Sequence, residues 1–316
     1  MAVSTQIKRR ERAGRSGAWR RHGAGLLWLM VLPGLLLIVT FSLTPTFGLV
    51  IAFMDFNPLK GFFGSRWVGL GNFDLLFALP DLGELMRNTV TIAAGKIALG
   101  QILTLIFALL LNEVYEQHTW FKRIVQTLTS FPHFLSWVVI GGIMMDVLAS
   151  NGILNQGLRG LGLDQPPAWL GDPRVFPLTM ILSDVWKNFG WGAIIFLAAM
   201  TNVSPENHEA AAIDGAGRFQ RMWHVTIPGI APIVVLQWVL SIGNILNAGF
   251  DQILFLYNPA VYATGDVLDT YVYRVGLQSA QWSFGVAVGA IKSVISFALV
   301  LISWYLANRY SGWRPF

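Results

Sequence analysis

The sequence predicts an all-α polytopic membrane protein with six transmembrane helices. Three observations predict it. Hydrophobic residues make up 54% of the 316 positions and charged residues only 12%. Soluble domains carry about 25% charged residues, so this chain is too poor in charge to cover a soluble surface. Mean hydropathy is +0.55. The apolar residues fall in six stretches of helix-spanning length, near 26–51, 88–111, 122–148, 176–200, 229–256 and 284–307. A bilayer core needs about 20 apolar residues per helix, and an outer-membrane barrel would alternate with period two instead.

The first stretch follows a basic tail, 1–25, which holds Lys8, Arg9, Arg10, Arg12, Arg15, Arg20 and Arg21. Its apolar run is longer than the 7–15 residues of a signal sequence, and no small-x-small cleavage site follows. It reads as a retained helix, with the tail as a positive anchor on anionic membrane lipid. Positive charge marks the cytoplasmic side, so both termini are expected in the cytoplasm. The remaining loops divide evenly. Lys122, Arg123, Arg218, Arg221, Arg309 and Arg314 fall inside, and Lys60, Arg66, Arg87, Arg159, Arg174 and Arg274 outside. The tail therefore carries the orientation. Three long outer loops are expected, near 52–87, 149–175 and 257–283.

Ionisable groups within spans are costly and mark function by default. In the fourth span Asp184, Lys187, Asn188 and Trp191 share one helical face. Asp184 and Lys187 are expected to neutralise each other. In the fifth, Gln237, Ser241, Asn244 and Asp251 form a polar stripe with Asn247 beside it. Such a stripe suits a sugar path, because hydroxyls take paired hydrogen bonds and sugar C–H faces stack on aromatic rings. It equally suits helix–helix hydrogen bonding. Gly243 and Gly249 flank the stretch, and an unwound helix there would mark a transporter binding site. Lys96 is expected to snorkel outward, and Lys292 to pair with Asp251.

The cytoplasmic connection 201–228 is the most informative segment. Ser204 is a helix cap and Pro205 suits the first helical position. Glu206 and Glu209 favour the positive end of the dipole. Asp214-Gly215 breaks the helix, a second amphipathic stretch follows, and Pro228 is expected to open the next span. Physically this is a helix, a glycine turn and another helix.

The spacing Glu209-Ala210-Ala211, Gly215, Val225, Ile227, Pro228 resembles the EAA loop of ABC importer membrane subunits. That motif is E-A-A, three residues, G, nine residues, I-x-L-P. Val225 and Ile227 are conservative departures. Asp214 and Ala216 match the form found in sugar importers. Segments 244–259, 266–277 and 289–294 resemble the carbohydrate branch, closest to permeases for complex saccharides such as alginate. The resemblance implies a type I permease fold with a core module at 88–307 and a coupling helix at 205–213. It implies coupling residues Glu206, Glu209, Ala210, Ala211, Asp214, Gly215 and Pro228. It implies a second permease subunit in a heterodimer, two ATPases that bind ATP and Mg²⁺, and an extracytoplasmic solute-binding protein, with an oligosaccharide as substrate. The setting would be the bacterial inner membrane.

The chain has no phosphate loop of its own, so it is expected to be a transport subunit and no enzyme. Zero cysteines and five scattered His give no metal-ligand spacing. Nothing points to a nucleic acid partner. The alternative is a self-sufficient secondary carrier or channel for a polar solute, which would need its own coupling residues and internal repeats. A membrane enzyme would need a catalytic cluster. Asp266 with Asp269 is the acidic pair on an outer loop, and turn carboxylates are usually structural.

Overall fold

The computed structural model describes residues 27–114 and 119–311. The basic tail 1–25 and Arg314 lie outside them. The regular structure of the described residues is helical apart from one short antiparallel hairpin, β1 (Met54–Asp55) with β2 (Arg66–Trp67). Helix α1 (Leu27–Phe53) leads into that hairpin. Short α2 (Gly71–Phe77) follows. Asn72 ties it back by donating to the Ala52 and Met54 carbonyls at 2.8 and 2.9 Å.

The centre of the fold is a pair of long helices, α3 (Leu82–Asn112) and α7 (Phe176–Met200), which pack along each other. Between them lie α4 (Thr119–Ser130), α5 (Trp137–Val147) and α6 (Ile153–Gly160). After α7 come α8 (Pro205–Ile213), α9 (Arg218–Ile242), α10 (Phe250–Leu256), α11 (Leu268–Val272) and α12 (Trp282–Ser311). One buried cluster joins Ile92 and Ala93 of α3, Phe176 and Met180 of α7, and Ile253 and Leu256 of α10. A second joins Ala108 of α3, Ala193 and Phe196 of α7, and Met222 and Ile230 of α9.

Among the described residues four helices are long and apolar enough to cross a membrane: α1, α3, α9 and the stretch Trp282–Arg309 of α12. The third expected span is a bent pair. The chain folds by 103° between Thr119–Phe134 and Trp137–Val147, and counts as a fifth candidate if the pair is one span. The turn has clear local causes. Pro132 sits in a short 3-10 turn, Leu135 is extended, and Ser136 caps α5 by accepting from Val139 N–H at 3.4 Å. Helix α7 occupies the expected 176–200 at 25 residues, with Asp184 and Lys187 inside it.

The fifth span is interrupted between Gly243 and Gly249, where the sequence allows unwinding, and does not run unbroken to 256. It stops at Ile242, and residues 243–249 carry the chain through turns to α10. Gly249 has φ +91, a conformation that suits glycine. As expected, Pro228 stands in the first positions of the regular α-helical stretch Ile227–Ile242, and helical chain continues back through it to Arg218. A π turn at Met222–Thr226 precedes it, with Ile227 N–H donating to the Met222 carbonyl. The wider turn reroutes hydrogen bonds around a proline that lacks a donor.

Helix α1 stands apart, with no buried residue in its most apolar window. Its last turns lie along α12. The segment 258–281 is fastened to the start of α3 and the chain before α7. Asn88 donates to the Ala263 and Asp266 carbonyls, and Thr89 accepts from Leu268 N–H at 2.9 Å. Asn258 donates to the Leu170 carbonyl at 2.7 Å.

Candidate functional site

Two places gather the predicted residues: a polar cleft between α3, α7 and α9, and the exposed helix α8.

The cleft has a volume of about 180 Å³ and is open-faced. Its polar wall is Lys96, Gln101 and Thr104 of α3, Asp184 and Asn188 of α7, and Gln237 of α9. The α-helical repeat places 184 and 188 on one face, and 101 and 104 likewise. Gln101 crosses to α9 by donating to Ser241 Oγ at 2.9 Å. Asn188 Oδ1 lies 2.9 Å from His133 Nδ1.

Behind the wall the charges are arranged differently from the sequence expectation. Asp184 does not pair with Lys187. Its carboxylate lies 3.7 Å from the Lys96 ammonium. One turn along the helix, Lys187 swings the other way and donates to the His133 carbonyl at 2.7 Å. There it also faces the Trp137 ring at 5.6 Å, a cation–π contact. Lys96 does not snorkel. It is buried and donates to the Ala248 carbonyl at 2.6 Å and to Gln252 Oε1. Gln252, fully buried, donates in turn to the Met180 carbonyl at 2.9 Å and to Ser183 Oγ at 2.7 Å. A buried ammonium is tolerated because it gives two hydrogen bonds and has a carboxylate 3.7 Å away to balance its charge.

The fifth-span stripe is divided by the break. Gln237 lines the cleft and Ser241 is held by Gln101. Asn244 and Asn247 sit exposed in the interruption. Asp251 is exposed in the first turn of α10 and does not join the cleft. The break advances the chain out of helical phase, so Gln252 takes the inward position. Lys292 accordingly does not pair with Asp251, and lies 2.5 Å from Asp269. Trp191 is not in the cleft lining. It stacks on the His133 ring at 4.9 Å, with Phe134 edge-on at 5.1 Å.

Sequence reasoning missed Gln101, Gln252 and His133. Gln101 had a readable signal, a lone amide within an apolar run. Gln252 could not be chosen over Asp251 without knowing where the helix breaks.

The acidic pair of the 258–281 segment is spent on ion pairs. Asp266 accepts two hydrogen bonds from Arg274, at 2.6 and 3.4 Å, which hold that guanidinium above its ordinary pKa range. Asp269 takes Lys292. Neither carboxylate sits in a catalytic arrangement.

Helix α8 is built as the sequence suggests. Ser204 Oγ accepts from Glu206 N–H at 3.3 Å. The far end closes with a left-handed glycine, Gly215 at φ +81. Ala216 N–H donates to the Ala211 carbonyl at 2.9 Å, and Gly215 N–H to the Ala212 carbonyl at 3.1 Å. This is a Schellman motif, which satisfies the last carbonyls of the helix. Glu206, Glu209, Ala210 and Asp214 are exposed, and Ala211 is half-buried. Ile213, Phe219 and Trp223 beside them expose 87, 74 and 60% of their surface. Large apolar side chains this open, at the end of α8 and the start of α9, suit a protein groove. Arg218 ties the segment to the end of α3. It lies 3.5 Å from the Glu113 carboxylate and donates to the Glu113 carbonyl at 3.1 Å.

Residues 102–312 match the family described as binding-protein-dependent transport system inner membrane component. The chain belongs to this family. The permease is 38% identical to Protein LplB of Bacillus subtilis over 90% of this chain and 89% of that one. It is 39% identical to the polygalacturonan/rhamnogalacturonan transport system permease protein YteP of the same organism, over 90 and 88%. It also superposes on a chain of a bacterial ABC transporter that imports the acidic polysaccharide alginate. The TM-score is 0.82 at 33% identity, covering 93% of this chain and 99% of that one. A second structure of an alginate transporter, in complex with its pentasaccharide-bound periplasmic protein, gives 0.81 at 33% identity, over 92 and 97%. This permease is therefore an inner-membrane, multi-pass subunit of a carbohydrate ABC importer, in a family without an ATPase of its own.

Proposed function

We propose that this permease forms, with a second permease subunit, the transmembrane path for oligosaccharides. The observation that carries the reading is the open cleft walled by Gln101, Asp184, Asn188 and Gln237 beside an interrupted helix. Amide and carboxylate groups can each take paired hydrogen bonds from sugar hydroxyls. Asn244 and Asn247, exposed in the interruption, extend the same lining. The ammonium of Lys96 is balanced by Asp184, so the wall recognises hydroxyls in the first place. The similarity to a polygalacturonan/rhamnogalacturonan permease and to an alginate importer favours oligomers that contain uronates. Alginate oligomers are within that class.

The chain crosses the inner membrane six times with both termini in the cytoplasm. The bent pair α4–α5 supplies the third span, α7 the fourth, and α9 with α10 the fifth. Helix α8 seats in a cleft of the cytoplasmic ATPase, with Glu206, Glu209, Ala210, Ala211, Asp214, Gly215 and Pro228 as the coupling residues. Two such ATPases bind ATP and Mg²⁺. Closure of that pair moves α8, and α8 moves the spans through α9 and through Arg218 on α3. An extracytoplasmic solute-binding protein delivers the sugar. No bond of the sugar changes in this chain.

Uptake tests the reading. A strain lacking this chain should lose uptake of labelled trigalacturonate or alginate trisaccharide and keep glucose uptake. The parental chain should restore it, and Asp184→Ala should not. Unchanged uptake of all uronate oligomers in the deletion strain, with loss of arabino-oligosaccharide or maltotriose uptake, would overturn the uronate assignment. No loss for any saccharide would overturn the whole.

A further inference from the structure

We propose that Lys96 is a positioning residue of the transport path. It fixes the interrupted end of the fifth span against α7 and sets Asp184 at the cleft wall as a hydrogen-bond acceptor. The second half of this statement rests on the saccharide-path reading; the first half does not.

An ammonium has three donors. Lys96 directs two to the Ala248 carbonyl and Gln252 Oε1 and pairs by charge with the Asp184 carboxylate at 3.7 Å. They come from the interruption, α10 and α7, so one side chain on α3 joins three other parts of the fold. Breaking a helix at 243–249 frees backbone groups that membrane interiors do not tolerate unpaired. Lys96 occupies one of them, the Ala248 carbonyl. Gly249 has no side chain at the point of closest approach, where a Cβ would lie 2.7 Å from the ammonium. Glycine at 249 thus serves two purposes: it accepts φ +91, and it leaves room for the charge.

The network closes inward. Gln252 uses its amide protons on Met180 and Ser183, and Ser183 donates to the Thr179 carbonyl at 2.6 Å. It opens only outward. The Asp184 side chain is 24% exposed against 8% for Lys96, and their contact is the longest of the three. The cation is therefore held mostly in the interior at the back of the cleft, while the carboxylate stands more open at its wall. A methionine at 96 would match the volume and leave the Ala248 carbonyl and Gln252 Oε1 buried without a donor.

The chain has no cysteine, so a single introduced thiol reports on one place. Asn247→Cys places it in the interruption, and Ser279→Cys places a control on an exposed turn. N-ethylmaleimide labelling of this chain is followed in the assembled importer, in membrane vesicles, with and without Lys96→Met. The expected result is labelling at 247 faster by about fivefold in K96M, from loss of the buried donors, with the rate at 279 unchanged. Equal rates at 247 would overturn the proposal, and so would a matching rise at 279, which would report general loosening. Should K96M not assemble, K96Q keeps one donor toward Ala248 and is read the same way. Its expected rise is about twofold, and equal rates would again overturn the proposal. The labelling uses no sugar, so its outcome is independent of whether the uptake assay supports the saccharide reading.

Discussion

Gly190 has no room for a side chain. It faces the end of α4, where an added Cβ would lie 2.3 Å from the Thr129 carbonyl oxygen and 2.4 Å from its carbon. Backbone cannot step aside as a side chain can, so α7 and α4 would have to part. Gly190→Ala should cost about 3 kcal/mol or more and abolish accumulation of the assembled complex. Gly142→Ala is the matched control. Nothing lies within 4 Å of that position, and the change should be neutral or stabilising by about 0.5 kcal/mol. Immunoblots of membrane fractions separate the two. Asp266 gives a second residue-level test. It is 6% exposed, and Arg274 gives it two hydrogen bonds while stacking 4.9 Å from Tyr262. Arg274→Gln leaves that carboxylate without its cation and should lower stability by about 2 kcal/mol. The double variant R274Q/D266N should recover part of it, seen as a higher melting temperature of the purified complex. The Tyr271 hydroxyl, pushed up by burial and pulled back by Arg274, should titrate higher still once that guanidinium is gone.

At the scale of elements, the helix–turn–helix at 204–228 was legible in the sequence, and of the interrupted span only the place of the break was, through the flanking Gly243 and Gly249. Ser204, Pro205, Gly215 and the alanines act through local rules of capping, propensity and left-handed glycine, and each appears in α8 as those rules require. The fifth span depends on contacts distant in sequence. Its break is stabilised by Lys96, some 150 residues away, and no local pattern reports that partner. The same holds for Asp184, whose nearest sequence neighbour of opposite charge is Lys187 but whose partner is Lys96. A one-turn preference was legible; the choice between two lysines on different helices was not. For α8 itself a separable effect is expected. Gly215→Ala must hold alanine at φ +81, at a cost of about 1 kcal/mol. That loss falls on the turn and spares the spans. The chain should reach the membrane at parental levels, while the ATPase recovered with it falls about fivefold.

As a whole molecule, the described chain leaves much of its apolar surface unpartnered. Helix α1 presents Leu29, Met30, Phe41 and Phe47 with more than 60% of their surface open, and α8 offers its apolar neighbours Phe219 and Trp223. One set asks for lipid or a second permease, the other for a soluble groove. Composition implies the first of these, since a chain with 12% charge cannot do otherwise, and the EAA spacing is the ground on which the second is proposed. The central claim is that this chain is one part of a larger machine and is incomplete alone. Mass spectrometry of the complex, released gently from its own membranes through a tag on this chain, tests that most directly. A second permease chain and an ATPase that carries a phosphate loop should be recovered, in fixed ratio to this one. Recovery of this chain alone, or only with copies of itself, would contradict it.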